Sequence, residues 1–237
     1  MAAKDHTVDE ILARLAGSSH GVVTRQELLS AGVTRHEIQQ RLATGALITV
    51  HRGVFRVGHA APSVEARYLA AVKACGPGSL LAGRAAAYLL HLLNRRPPLP
   101  EVLTAHHRRP TAVTVRRCRS IDGRDATTWR GLPVTNVPRT LVDLAALLDP
   151  PDLARAFHEA AVKHRLKPDA VERVLDRRHN WPGARKLRRV IWEDEPVSLS
   201  RLESSFIGVL RRAHLPVPRT TSRSAPTSST AAGRTIV

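Results

Sequence analysis

The stretch TRHEIQQRLA, from Thr34 to Ala43, places His36, Gln39 and Gln40 close together and brackets them with Arg35 and Arg41. It holds no thiol, and its one hydroxyl, on Thr34, reads as part of a helix cap with Glu37. It does offer carboxamides with paired donors and acceptors, an imidazole and two fixed cations. A glutamine can pair with an adenine edge, and a guanidinium with guanine or phosphate. Thr34 opens the stretch, where a helix N-terminus turns its dipole toward phosphate. Arg25 lies upstream, and His51, Arg52 and Arg56 follow in HRGVFR. Apart from Arg25, these residues are candidates for contact with DNA.

Other polar clusters are weaker. In HEAAVKH, His158 and His164 would sit about 120° apart on a helix and could not share a metal. His106 and His107 in AHHRRP could meet an anion, but neighbouring strand residues point to opposite faces. Asp122 and Asp125 in IDGRD read as turn residues. No phosphate-binding glycine loop, Ser/His/Asp set or metal-ligand spacing is present, and no cofactor is expected.

Positioning the first group requires short, well-capped elements. Val8, Ile11, Leu12 and Leu15 recur at helical spacing, so a first helix should end near Gly17. TRQE and TRHE each carry threonine three residues ahead of glutamate, the signature of a capping box. The spacing predicts a second helix from Thr24 stopped by Gly32, and a third from Thr34 stopped by Gly45. ALITVHRGVFRVG then alternates and turns at Arg52-Gly53, a hairpin signal. Three helices and a basic hairpin make a winged helix-turn-helix, whose third helix enters the major groove. With Ile38 and Leu42 buried and about 100° per residue, His36, Gln40 and Ala43 face away from the core. Gln39 lies at the edge of that face, and Arg35 and Arg41 on its shoulders. A helical bundle with solvated charges would share part of this pattern, but not the doubled box with a basic wing.

Downstream, VEARYLAAVKACG and LLAGRAAAYLLHLL read as helices, and NRRPPLP as a stiff connector. EVLTAH, TAVTVRRC and ATTWRGLPVTNV read as strands of a small sheet. PRTLVDLAALL, PDLARAFHEAAVKHR, KPDAVERVLDRR and PGARKLRRVIW follow as helices, with SRLESSFIGVLRRA after Pro196. RTTSRSAPTSSTAAGRTIV is too poor in apolar residues to fold. The expected class is α+β, mainly α with a small β component. The expected organisation is a winged helix-turn-helix over 1–60, a mixed sheet-and-helix domain over 61–195, a short helical segment over 196–218 and a disordered tail over 219–237.

Lys and Arg number 37 against 20 Asp and Glu, a formal net charge of +17. Such an excess favours polyanions, since neutralising phosphates releases counterions. Cys75 and Cys118 make no disulfide scaffold. The N-terminus lacks an apolar signal core, and the longest apolar run, AAAYLLHLL, is about half of what a ~20-residue spanning helix needs. A cytoplasmic location is expected, with no membrane partner.

The stretch from GVVTRQELLSAG to LLAGRAAA, with GLPVTNVPRTLVDLAALL further on, resembles the actinobacterial form of the AbiEi-type antitoxins. The resemblance runs from about Thr7 to Pro218. It implies a winged helix-turn-helix that binds its own promoter, with Arg25 as a tenth candidate in its DNA-contacting elements, and a following region that serves as antitoxin in a type IV toxin–antitoxin system. The implied functional partner is a nucleotidyltransferase-like toxin, opposed without a direct complex. SRLESSFIGVLRRAHLPVPR resembles the opening helix of very-short-patch-repair endonucleases. That nuclease core needs further carboxylates to hold Mg²⁺, and the sequence after Arg219 has no Asp or Glu. Glu203 alone cannot make such a site. A truncated remnant without nuclease activity is therefore expected. The rival readings are a related endonuclease and a non-enzymatic interaction protein.

Overall fold

The computed structural model describes residues 7–58, 62–94, 96–178 and 180–192. The expected helix SRLESSFIGVLRRA, the segment 196–218 and the tail 219–237 lie outside the described residues.

The chain opens with α1 (Val8–Gly17), β1 (Val22–Thr24), α2 (Arg25–Ser30), α3 (Arg35–Ala43), β2 (Leu47–His51) and β3 (Val54–Val57). All three helices start on full capping boxes: Thr7 with Glu10, Thr24 with Glu27, and Thr34 with Glu37. Each box satisfies two N-terminal N–H groups that the helix leaves free. β1 departs from the expected order, which runs from the first helix directly into the second. With three residues it is too short to show alternation, yet it pairs antiparallel with β3.

The small sheet has the order β1-β3-β2. His51 pairs with Val54, so the wing turns on Arg52 and Gly53, and Gly53 supplies φ +74°. A bulge between Thr49 and His51 leaves Val50 as the extra residue, 40% exposed. The sheet has two apolar faces. Val23 and Phe55 join Leu28, Val33, Ile38 and Leu47 in one core. Their neighbours Val22 and Val54 point the other way, into a larger core.

That larger core is built on α4 (Val64–Cys75), buried around most of its circumference. A helix apolar on all sides is one packed on all sides. Here α4 touches both the small sheet and a second sheet. The second sheet has the order β6-β5-β4-β8-β7, from β4 (Leu80–Leu81), β5 (Glu101–Thr104), β6 (Thr114–Arg117), β7 (Ala126–Trp129) and β8 (Leu132–Thr135). It is mixed: β5–β6 and β4–β8 are parallel, the other pairs antiparallel. The helices α5 (Gly83–Leu89), α6 (Val137–Ala145), α7 (Pro150–His164), α8 (Pro168–Asp176) and α9 (Ala184–Trp192) complete it. The fold class is α+β, mainly helical.

LLAGRAAAYLLHLL is not one helix. Leu80 and Leu81 form the central strand, and the helix begins at Gly83. A short apolar run buried on both sides has no period that separates strand from helix. No side chain caps α5 from its own start. Glu101 of β5 does so instead, accepting from the N–H of Arg84. A Cβ on Gly83 would collide with that carboxylate.

Candidate nucleic-acid interface

The local sequence of α3 sets its two faces. Ile38 is buried and Leu42 half-buried against the smaller core, while Arg35, His36, Gln39, Gln40 and Ala43 are exposed. The open face therefore carries an imidazole, two carboxamides and, at the N-terminal end, a guanidinium. Thr34 is committed to the helix cap: its Oγ1 accepts from the N–H of Glu37 at 3.2 Å and donates to the Glu37 carboxylate at 2.7 Å. The hydroxyl and N–H of Thr34 hold the Glu37 carboxyl below its usual range.

A second surface lies beside the wing. An open groove of about 1780 Å³ is bounded by Arg25, Gln26 and Leu29 of α2, by His51 and Arg52 at the wing turn, by the end of α4, and by the loop Arg108–Thr111. Arg52, Arg108 and Arg109 are exposed, and none has a carboxylate partner among the described residues. Arg25 lies over the Phe55 ring at 5.4 Å. Glu27 is the carboxylate among the described lining residues. Lys73 holds both its oxygens, at 2.8 and 2.9 Å. The groove is thus cationic, with apolar patches at Leu29 and Val50. Burial lowers the pKa of His51, favouring the neutral imidazole.

The ten candidates do not converge on one spot. Arg25, His51 and Arg52 line the groove; Arg35, His36, Gln39 and Gln40 stay on the open face of α3, outside the groove lining. Arg41 turns back to α1 and pairs with Asp9 at 3.0 Å. Arg56 lies on the sheet face shared with Val22 and Val54, and its Nε is buried without a hydrogen-bond partner.

Residues 10–58 match the model of a family described as transcriptional regulator, AbiEi antitoxin. The segment that matches the AbiEi model, the AbiEi segment, runs from within α1 to just past the end of β3. Among solved structures, the chain is similar to the crystal structure of the RV2827C protein from Mycobacterium tuberculosis. The two share 21% identity and a TM-score of 0.52, over 81% of this chain and 78% of that one. This likeness extends the shared fold well beyond the AbiEi segment. No curated protein matches the chain significantly.

Two arginines of the groove, Arg108 and Arg109, lie outside the AbiEi segment and outside the ten candidates. Their sequence signal is the RRP of AHHRRP, where attention falls first on the histidines. Those histidines separate: His106 Nε2 lies 2.9 Å from the Pro77 carbonyl, and His107 Nδ1 lies 2.8 Å from the Arg117 guanidinium. His164 Nε2 lies 2.8 Å from the Leu90 carbonyl, with its ring tilted against Trp129, while His158 is exposed. Among the described residues, no three His, Cys, Asp or Glu are arranged to hold a metal. No described helix is long and apolar enough to cross a membrane.

Asp122 caps a short 3-10 turn and Asp125 ends it, but Asp125 is far more than a turn residue. Fully buried, it accepts from Arg139 at 2.8 Å, Arg177 at 2.6 Å and Arg178 at 2.9 Å. Burial alone would raise its pKa; the three guanidinium groups outweigh that and hold it lowered. Arg139 also bonds Asp143 at 3.1 Å and lies over Trp181 at 5.2 Å. This knot ties the α8–α9 junction to α6 and is structural.

Proposed function

We propose that the protein is a DNA-binding transcriptional regulator of the AbiEi antitoxin type, which represses its own operon. α3 lies in the major groove, where Gln39, Gln40 and His36 meet base edges and Arg35 meets phosphate or guanine. The wing groove takes the adjacent sugar–phosphate backbone, which Arg25 and Arg52 contact. The reading includes the role of antitoxin in a type IV system, opposing a nucleotidyltransferase-like toxin without a direct complex. It assigns no catalytic step to the chain.

The observation that carries this reading is the open face of α3, with two exposed carboxamides and an imidazole held on a fully capped helix. Phosphate contacts position a protein on DNA and base contacts specify the sequence, and the two surfaces divide along that line. The test is binding of the purified full chain to the DNA upstream of its own gene and to a scrambled duplex of equal length, across a salt series. The upstream duplex should bind more tightly at every salt concentration. Equal affinity for the two would end the regulatory reading.

A further inference from the structure

Lys73 is the charged residue in the otherwise apolar C-terminal half of α4, and it belongs to the body of the protein, outside the segment 10–58. Its side chain is 15% exposed. The ammonium donates to both oxygens of Glu27, at 2.8 and 2.9 Å, and to the Val22 carbonyl at 3.0 Å. All three of its protons are therefore spent on the AbiEi segment. Glu27 in turn accepts from the N–H of Thr24 at 2.7 Å, so the same carboxylate closes the cap of α2. Next along the chain is Arg25, on one wall of the groove; Arg108 and Arg109 stand on the body's side of it.

We infer that Lys73 is a positioning residue for DNA binding: by clasping the N-terminus of α2 to α4 it sets the spacing between the groove's two walls, and with it the pose of α3. α2 packs on α3, so a shift at the start of α2 is passed to the reading helix. The ammonium is enclosed by its three acceptors and does not itself meet phosphate. The head is also held by His20, whose Nε2 lies 2.7 Å from the Arg130 carbonyl, but that contact lies at the far end of β1. Lys73 reaches the end of α2 that carries Arg25, whose own N–H bonds the wing at the Gly53 carbonyl, 2.9 Å away.

This inference rests on the regulatory reading, and one experiment separates the two. The full chain and its Lys73→Met variant are compared on the upstream duplex and the scrambled duplex across a salt series. The unmodified protein should prefer the upstream duplex. In Lys73→Met that preference should fall about tenfold, the worth of one lost bidentate base contact. Affinity for the scrambled duplex and the salt slope should stay unchanged. Glu27→Gln, which keeps an oxygen for the Thr24 cap, should act in the same direction and serves if Lys73→Met does not fold. The double variant should be no worse than Lys73→Met, as for two residues acting as a unit. No preference in the unmodified protein sinks the regulatory reading. Preference there but undiminished in both variants sinks the role of Lys73. Equal loss on both duplexes also overturns it: with a slope shallower by about 0.9 it marks a phosphate contact, and with an unchanged slope a loss of folded protein.

Discussion

Removing Arg108 and Arg109 together tests whether the body takes part in holding DNA. Both side chains are exposed, line the groove and have no carboxylate partner among the described residues. Their replacement by alanine should therefore leave stability within about 0.5 kcal/mol of the original. If each neutralises one phosphate, the slope of log affinity against log salt becomes shallower by about 1.8, at ~0.9 per phosphate. Raising salt from about 50 to 200 mM changes log salt by about 0.6, so the affinity deficit of the variant should shrink about tenfold over that range. Because phosphates carry no sequence, the upstream and scrambled duplexes should lose equally. Fluorescence anisotropy on labelled duplexes reads both quantities. Lysines at the same two positions should restore the slope, since a point charge suffices for phosphate. Lys167→Ala, at an exposed site outside the groove, should leave it unchanged. An unaltered slope in the double alanine variant would refute the groove as a backbone channel. A loss confined to the upstream duplex would mean that the loop reads bases instead.

Gln40→Ala should lower affinity for the upstream duplex by about 1–3 kcal/mol and leave the scrambled one untouched, whereas Arg52→Ala should weaken both alike; competition binding with the two duplexes checks the contrast, and the reverse pattern would exchange the roles of helix and wing. Asp125→Ala leaves buried Arg139 and its two companions without their shared anion, and should cost about 3–5 kcal/mol in urea unfolding; a change under about 1 kcal/mol would show that solvent reaches the knot. Glu27 offers a pH test: burial works to raise its pKa, but the bonds from Lys73 and Thr24 prevail and lower it. A carboxyl with a lowered folded pKa contributes its stability above the unfolded value and loses it as pH falls through the folded one. The stability gap between the original protein and Glu27→Gln should thus be flat above about pH 5 and close below about pH 4, as read by urea midpoints; a gap that widens in acid would refute the clasp.

What the sequence could reveal about this site depended on how far apart the cooperating residues lie. The face of α3 is legible because everything that sets it is local: Thr34 and Glu37 fix the start, and Ile38 and Leu42 fix the buried side. The wing turn at Arg52-Gly53 is legible for the same reason. β1 is not, because three residues carry no period and the strand exists only through its pairing with β3. Leu80 and Leu81 are hidden differently, since burial on both faces erases the pattern that marks a strand. The largest gap concerns charge. Lys73 sits in VEARYLAAVKAC and Arg139 in PRTLVDLAALL, both among apolar residues at helical spacing. Burying such a group is costly unless an opposite charge meets it, so each position announces a partner somewhere in the fold. Asp143, four residues after Arg139, follows a helical spacing rule, but Glu27 and Asp125 lie on other elements, where no spacing rule reaches. A cation on the buried side of a helix is therefore evidence for a tie between distant segments before its other end is known. In this protein one such tie joins elements of the body, and the other fastens the body to α2, which packs on α3.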